Sequence, residues 1–545
     1  MVDKGDFLSP MYFDEHRFQK PILFYWLIIL FYKIFGVNWV GVRMVSVVFS
    51  ALTVSLTWYL ARKMFNNKVA LLSSGILMTT VMFFRHAKNA VPDGALNFFI
   101  VLSLTCVYQY YQALLVKEKE ANFSFEFKRM SGIFFISCAL GFMIKGFAAL
   151  IVPIITLIIF TLCMKKPHML KEFNFLKGTF IILAIVLPWF LYMIFRHGNS
   201  YIEYMLVDET KNRLLSTDSG NLVLTQINNF LKHGLFYLKT ILSYFAPWSV
   251  FGLMAIPFSM LRLNKEGENR GPLVFLLIWI FVVFIFFSFM NFKINHYMLV
   301  LTTPFAILTA YLFLHENKNS TLIERIFNGF RKYLPIIIYV FGSAAFSFLA
   351  LFLVGTHTGW GLIFLFTTIF VIFMMVKSQK RLTSPLILAI FLIVIFSQSS
   401  MMGKAKVTSH ASLQGFADTI NRYSLAESII AVGSRDIHEK EFQVYFDDHQ
   451  IIKVEGYNDQ VTKEKLIDLF SGGNSVYCLI TKNDFDKYIA NDIGDQLIVL
   501  QEDYMFRKRM YIDKDFFKAL VKLDQKTVYG YLLEKVILIR KKENA

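Results

Sequence analysis

Ionisable side chains lie at the ends of several long apolar segments of this 545-residue chain. Asp93 begins one such segment, Lys145 ends another, and Lys293, His296 and Tyr297 share the turn between two more. A charged group beside hydrocarbon is costly unless it meets a counter-ion or lines a polar cavity, so it indicates function by default. A carboxylate among cations and an imidazole offers the groups that proton transfer and anion stabilisation require.

Three further cations, Lys20, Arg85 and Arg213, belong to the same set of loops. Lys20 precedes the aromatic segment 21–35, where it either binds a phosphate at headgroup depth or only anchors that segment at the interface. Asp93 follows Pro92, a pair that equally suits a helix start whose first-turn acid is favoured by the helix dipole. Tyr297 fits the aromatic belt of a membrane protein. Position alone therefore leaves structural and functional roles open for each of them.

The composition of the chain is that of a polytopic membrane protein. Hydrophobic residues make up 56% of the chain, 59 residues are Phe, and the mean hydropathy is +0.50, well beyond a soluble globular domain. The formal net charge of +17 comes from short clusters beside the apolar segments, where Lys and Arg orient helices and face anionic lipid. We therefore exclude nucleic acid as a partner and expect membrane lipids instead.

The apolar segments predict a mainly α-helical fold with about 12 transmembrane helices, each of about 20 residues. The predicted spans are residues 40–61, 69–84, 94–116, 130–144, 147–164, 178–195, 242–261, 272–290, 296–314, 333–354, 359–376 and 383–400. Segment 21–35 is short and contains Lys33, which favours a helix lying in the membrane interface.

Basic clusters occupy alternate loops, which the positive-inside rule assigns to the cytoplasm. They are found near Arg62, Lys117, Lys165, Arg262, Arg325 and Lys377. The remaining loops, which carry the candidate site residues, and both ends of the chain are then expected outside. The predicted location is the bacterial cytoplasmic membrane with an extracytoplasmic active face.

The composition changes beyond about residue 403, so we predict a membrane domain over 1–403 and an extracytoplasmic α/β domain over 404–545. Short β-rich runs are at 428–432, 442–446, 451–454, 475–480, 496–500 and 536–540, and helical patterns are at 412–423, 462–470 and 515–523. This region has no phosphate loop, no metal-spaced His/Cys set and no nucleophile elbow. Its sequence therefore gives no support for catalysis there.

Several motifs, in this order, resemble those of the GT-C glycosyltransferases related to bacterial aminoarabinose transferases and protein O-mannosyltransferases. The matching residues are Gly5-Asp6-Phe7-Leu8-Ser9-Pro10, Lys20-Pro21, Tyr25-Trp26, Arg85 with Asp93, Gly141 to Gly146, Pro188-Trp189, Arg213, Pro247-Trp248, and Lys293 with His296-Tyr297. Each motif is weak alone, whereas their order and loop positions are fairly specific. The resemblance covers nearly the whole membrane region.

The resemblance implies an enzyme that transfers a sugar from a polyprenyl monophosphate carrier to a hydroxyl of lipid A, another envelope glycan or a protein. It implies that Lys20, Arg213 and Lys293 bind the carrier phosphate and that Asp93 is a catalytic carboxylate. It places Tyr297, His296, Lys145 and Arg85 in the substrate pocket. Neither a metal ion nor another cofactor is required, because Lys and Arg can stabilise a monophosphate leaving group.

This sequence departs from the family pattern at its first acidic motif. In the family that acid ends the first helix, upstream of the position of Gly5-Asp6, so we expect a helix and its acid to precede Met1; a genuinely external N-terminus is the alternative. Gln19 and Leu214 replace an acid and a Phe of many relatives. Two other functions therefore stay open, an inactive glycosyltransferase-like scaffold and a lipid-linked sugar transporter or flippase.

Overall fold

The computed structural model describes residues 1–117, 124–204, 234–315 and most of 409–542, with short gaps in these ranges. The chain divides into two compact units. The first contains the long apolar helices that precede residue 316, and the second contains a sheet near the C-terminus. A mainly helical fold with a C-terminal α/β region is thus confirmed, whereas the boundary at residue 403 lies outside the described residues.

The first unit is helical over most of its described residues. Its described helices are α1 (Leu23–Phe35), α2 (Trp39–Met64), α3 (Asn67–Met78), α4 (Val81–Lys88), α5 (Asp93–Lys117), α6 (Ser124–Lys145), α7 (Ala148–Cys163), α8 (His168–Glu172), α9 (Phe175–Glu203), α10 (Gly234–Tyr244), α11 (Ser249–Arg262), α12 (Arg270–Phe289), a 3-10 helix (Asn295–Leu301) and α13 (Thr302–Leu314). A two-stranded hairpin, β1 (Met11–Tyr12) and β2 (Glu15–His16), precedes them.

Local side chains determine where these helices begin and how they tolerate polar residues. Asn38 caps α2 and Asn66 caps α3, each accepting two backbone N–H groups at the helix start. Inside the helices, hydroxyls such as those of Thr53, Thr57 and Ser73 donate to the carbonyl four residues earlier. Apolar helices can therefore carry hydroxyl groups without leaving them unpaired in a medium that offers no water.

Five described helices are long and apolar enough to cross a membrane, or up to seven if two bent pairs each count as one span. The five are Trp39–Met64, Asp93–Leu115, Phe175–Glu203, Arg270–Phe289 and Asn295–Leu314, which agree with five of the predicted spans. Helix α1 has 13 residues and α7 has 16. The predicted spans at 333–354, 359–376 and 383–400 lie outside the described residues, so the count of about 12 stays a prediction.

Two predicted spans are broken rather than continuous. Helices α3 and α4 meet at an angle of 65°, and helices α10 and α11 meet at 119°. The two breaks contact each other, since the indole N–H of Trp248 donates to Oγ1 of Thr79 at 2.9 Å and the Val81 N–H donates to the Ala246 carbonyl at 3.1 Å. Backbone groups freed by one break are thus satisfied by the other, as a non-aqueous medium requires.

The second unit is a five-stranded mixed sheet of order β4-β3-β5-β7-β6. Its described elements are α14 (Ser409–Tyr423), β3 (Ile429–Val432), β4 (Ile451–Lys453), α15 (Asp459–Ser471), β5 (Val476–Thr481), α16 (Lys482–Tyr488), α17 (Ala490–Ile493), β6 (Leu497–Phe506), α18 (Lys514–Val521) and β7 (Leu533–Lys541). Strand β3 pairs in parallel with both β4 and β5, whereas β7 is antiparallel to β5 and to β6.

Apolar side chains cover both faces of this sheet, and every residue of the central strand β5 is buried. Five of the predicted β-rich runs form strands, and all three helical patterns form helices. The run at 442–446 lies largely outside the described residues. Burial raises the pKa of the Cys478 thiol to about 12, so this cysteine is a neutral part of the core.

The contact between the two breaks gives a test of the fold. Thr79→Val leaves the buried indole N–H of Trp248 without an acceptor and should destabilise the protein by about 1–3 kcal/mol, whereas Trp248→Phe should cost about 1 kcal/mol from the lost bond. Because both changes remove one interaction, the double variant should lose less than the sum of the two. Thermal unfolding of the full chain in detergent measures all three, and strictly additive losses would show that the bond contributes nothing.

Candidate active site

Asp93 is buried at the first turn of α5. Its exposed fraction is 6%, and the residue directly follows Pro92. The N-terminus of a helix favours a negative charge, because its unpaired N–H groups and its dipole point towards it. Burial nevertheless demands a counter-charge, since an isolated carboxylate in an apolar surrounding costs several kcal/mol.

Lys145 supplies that counter-charge from the end of α6. Its ammonium nitrogen lies 2.5 Å from Oδ1 of Asp93, and the two side chains are 10% and 8% exposed. Two glycines place it there. At Gly141, one turn earlier, an added Cβ would lie 2.7 Å from the Ala149 side chain, so α6 approaches α7 closely only because that position is glycine. At Gly146 the backbone turns with φ +100° between α6 and α7.

The 3-10 helix brings an imidazole and a phenol to the same place. Nε2 of His296 is 3.7 Å from Oδ1 of Asp93. The Tyr297 ring stacks on Phe287 with 4.4 Å between centroids, and the Lys145 ammonium is 5.7 Å from the centroid of the Tyr297 ring. Asn295 secures the start of this helix, because its side-chain oxygen accepts a bond of 2.9 Å from the Thr240 hydroxyl of α10.

A cavity of about 250 Å³ opens beside these groups. Its polar lining comes from Gln19, Asp93, Lys145, His296 and Tyr297, and most of the remaining wall is apolar. Asp93 is the only acid among the described residues that line it. A mostly apolar pocket with a few convergent polar groups is the usual form of a small-molecule site.

A second, larger cavity of about 670 Å³ lies between α7 and α12. The described residues that line it are all apolar; they are Ile155, Ile159, Ile278, Phe281, Val282, Ile285, Phe286, Phe289 and Met290. Met290 also lines the first cavity, and Ile151, one turn before Ile155 on α7, does so as well. The two cavities are therefore neighbours along the same pair of helices.

Residues 5–10, the first loop of the chain, are held to two helices by hydrogen bonds to their backbone carbonyls. The indole N–H of Trp26 in α1 donates to the Phe7 carbonyl at 2.7 Å, and the indole N–H of Trp189 in α9 donates to the Leu8 carbonyl at 2.9 Å. Ile22, fully buried, packs in one apolar cluster with Met143 of α6 and with Trp189. This packing holds the start of α1 near the end of α6, where Lys145 lies.

Asp6 has a structural role in the same loop. Its carboxylate accepts the backbone N–H groups of Leu8 and Ser9 at 2.9 and 3.0 Å. Desolvation opposes the charge, but these bonds outweigh it, so the pKa of Asp6 is lowered. We therefore interpret Asp6 as a loop cap rather than as a catalytic base.

Some of the predicted site residues line the first cavity, and others do not. Asp93, Lys145, His296 and Tyr297 come together at the first cavity. Lys20 is half-buried between the cavity residues Gln19 and Pro21 and interacts electrostatically with His296.

Two predicted residues, Arg85 and Lys293, are exposed and do not line that cavity. Arg213 lies outside the described residues. His86, next to Arg85 on α4, was not among the predicted site residues, yet its ring centroid is 6.1 Å from that of His296. Adjacent residues of a helix point about 100° apart, which explains why the chain turns His86 rather than Arg85 towards the cluster.

Large parts of the chain match known proteins. Residues 1–201 match the dolichyl-phosphate-mannose-protein mannosyltransferase family. The chain is 30% identical over 329 residues to an uncharacterized protein of Aquifex aeolicus, a match that covers 60% of this chain and 58% of that protein. It is 26% identical over 332 residues to the undecaprenyl phosphate-alpha-4-amino-4-deoxy-L-arabinose arabinosyl transferase of Pseudomonas aeruginosa, covering 60% and 56%. The matches thus span less than 60% of each relative's length.

The fold is similar to that of a solved membrane protein. The crystal structure of ArnT from Cupriavidus metallidurans bound to undecaprenyl phosphate superposes with a TM-score of 0.66 at 15% identity, over 99% of this chain and 91% of that one. Residues 450–544 also match the D12 class N6 adenine-specific DNA methyltransferase family. That match concerns the sheet unit alone.

The described helices and the fold are those of a multi-pass membrane protein. The chain resembles the GT-C glycosyltransferases, among them the aminoarabinose transferases and the mannosyltransferases. The resemblance predicted from the sequence motifs is thereby confirmed.

The buried ion pair can be tested by a double-variant cycle. Lys145→Met leaves the Asp93 carboxylate buried without its counter-charge and should lower the free energy of unfolding by about 3–5 kcal/mol. Adding Asp93→Asn removes the stranded charge and should restore much of that loss, as measured by thermal unfolding in detergent. Lys88→Met, which removes an exposed lysine of α4, is the matched control. If the double variant is no more stable than Lys145→Met alone, the pair does not stabilise the site.

Proposed function

We propose that this protein transfers a glycosyl group from a polyprenyl-phosphate-linked sugar to an acceptor hydroxyl. The acceptor is lipid A, another envelope glycan or a protein, and the reaction occurs at the outer face of the bacterial cytoplasmic membrane. The observation that carries the proposal is the convergence of Asp93, Lys145, His296 and Tyr297 on one cavity that adjoins an apolar one. A substrate that is ionic at one end and long and apolar at the other matches such a pair of cavities.

The apolar cavity supports a polyprenyl chain as the lipid part of the donor. Its lining runs along α12 from Ile278 to Phe289 and includes Met290, which follows the helix; at 1.5 Å per residue this is about 18 Å. A chain lying there with its phosphate in the first cavity would remain inside the lipid layer. The sugar would then lie beside Asp93.

Cations near the first cavity support the phosphate as leaving group. Lys145 lines that cavity and Lys20 is held at its rim between two lining residues. As the bond between the anomeric carbon and the phosphate oxygen breaks, its electron pair stays on the phosphate, and nearby ammonium groups stabilise that growing charge. Lys293 and Arg213 are proposed, from the family resemblance, to join them at the phosphate.

Asp93 is proposed to accept the proton of the acceptor hydroxyl. The acceptor oxygen forms a bond to the anomeric carbon, its proton moves to the carboxylate, and the phosphate leaves with the bonding electrons. Lys145 has two partners in this scheme, since it neutralises Asp93 before the donor binds and can turn towards the phosphate afterwards. That movement would free the carboxylate for the proton when it is needed. These steps require no metal ion.

The two bent spans also fit a second function, that of a lipid-linked sugar transporter. Interrupted helices are typical of transporters, so a lipid-linked sugar flippase would also fit the breaks at Thr79 and at residues 245–248. Such a protein would move the donor across the bilayer and leave the acceptor unmodified. An inactive scaffold would do neither.

The assay that separates these functions uses the full chain in nanodiscs and in liposomes, with radiolabelled polyprenyl-phosphate sugars and candidate acceptors. We expect sugar transfer by the wild type and a loss of about 10²–10⁴-fold in Asp93→Asn, because the proton acceptor is removed. Lys20→Ala should mainly raise the KM for the donor, and Lys88→Ala should match the wild type. Donor crossing without any transfer would favour the flippase, and the absence of both would favour the scaffold.

The apolar cavity gives a separate test of the donor. Val282→Trp fills the space between α7 and α12 and should raise the KM for a long-chain donor by about tenfold, which corresponds to about 1.4 kcal/mol of lost binding. A donor with only two isoprene units should be unaffected, because its chain ends before the added indole. An equal effect on both donors would contradict a lipid chain in this cavity.

A further inference from the structure

The buried carboxylate and two imidazoles form a group of three potential metal ligands. One nitrogen of His86, one of His296 and one oxygen of Asp93 all lie within 4.8 Å of one another. We propose that these residues form a binding site for a divalent transition metal of the Zn²⁺ class, and that the metal and the Lys145 ammonium compete for Asp93. This site goes beyond the proposed transfer reaction, in which no metal takes part.

A hydrogen bond of the His86 ring leaves one of its nitrogens able to bind a metal. Its Nδ1 lies 2.8 Å from the Met82 carbonyl, and a carbonyl can only accept, so Nδ1 carries the proton. Nε2 then keeps its lone pair. A histidine held by an Nδ1–H bond to a backbone carbonyl is the arrangement that orients imidazole ligands in metalloproteins.

The distances require only small movements. Nε2 of His296 already lies 3.7 Å from Oδ1 of Asp93, and ligand atoms about 2.0–2.1 Å from a tetrahedral Zn²⁺ are about 3.4 Å apart. The three ligand atoms lie within 4.8 Å of one another, so their separations must shorten by about 1.4 Å at most. Two imidazoles with one carboxylate favour Zn²⁺ or Co²⁺ over Mg²⁺ and Ca²⁺, which prefer oxygen ligands.

Lys145 opposes the metal. Its ammonium nitrogen lies 2.5 Å from Oδ1 of Asp93. A metal ion bound to the same oxygen would lie close to this ammonium, and the two positive charges would repel each other strongly. When the metal enters, the ammonium must leave, and the Tyr297 ring, 5.7 Å from Nζ, offers it a second surface. Metal binding also neutralises the carboxylate proposed as proton acceptor, so the bound form should be inactive.

Direct binding tests the site without reference to sugar transfer. The full chain in detergent, titrated with Co²⁺, should give a saturable visible absorption band at one equivalent, which Zn²⁺ then displaces. His86→Gln should weaken Co²⁺ binding by more than about tenfold, since even the loss of an outer-shell partner costs about 10–100-fold. His168→Gln, which removes an exposed imidazole beyond the far end of α7, should bind as the wild type does.

Two further variants decide whether the metal competes with the lysine. Lys145→Met should bind Co²⁺ more tightly than the wild type, because the competing ammonium is gone, whereas Asp93→Asn should abolish the band. The proposal is overturned if no band saturates at one equivalent, if His86→Gln binds as the wild type does, or if Lys145→Met binds more weakly.

The effect on activity is a separate measurement. His86 lies outside the residues proposed for sugar transfer, so metal-free His86→Gln should transfer sugar at the wild-type rate. A Zn²⁺ concentration that halves the wild-type rate should leave this variant unaffected, and equal inhibition of both would contradict the inhibitory role. A metal-free wild type without transfer activity would instead count against the proposed function, and the Co²⁺ titrations would still decide the metal site.

Discussion

The site depends on one buried ion pair, between Asp93 at the start of α5 and Lys145 at the end of α6. Neither charge is tolerable alone in an apolar bundle, because each loses most of its hydration there. Together they require the ends of α5 and α6 to meet, and Gly141 permits that meeting as well, because an added Cβ there would lie 3.2 Å from the Phe99 side chain of α5. The carboxylate is thereby kept ionised, and the ammonium is kept beside the cavity where an anionic group is proposed to bind.

The other site residues are brought to this pair by less regular structure. Helix α4 follows a break and carries His86, while His296 and Tyr297 belong to a 3-10 helix, a geometry that tends to occur in short functional segments. The two broken spans support each other through Trp248 and Thr79. Regular helices therefore form the frame, the 3-10 helix places His296 and Tyr297 at the cavity, and the helix after the break places His86 beside His296.

Much of this arrangement could be predicted from the sequence, for a definite physical reason. Helices that cross a membrane in alternate directions bring every second loop to the same face, so Asp93, Lys145, His296 and Tyr297 were expected on one side. Their distances were not predictable, since these arise from packing between helices far apart in sequence. The break after Thr79 was missed because a hydropathy window averages over a short bend. His86 was missed because the rotation of α4, which the sequence does not show, decides whether Arg85 or His86 faces the cluster.

The two indole bonds of the first loop have a consequence for how this protein can vary. Trp26 and Trp189 donate to the carbonyls of Phe7 and Leu8, and every amino acid has that carbonyl. The contact therefore depends on the indole side chains of the two helices, whereas the loop takes part only through its backbone. Side chains at positions 7 and 8 can change during evolution without loosening the loop, so this surface can vary while the frame behind it stays constant.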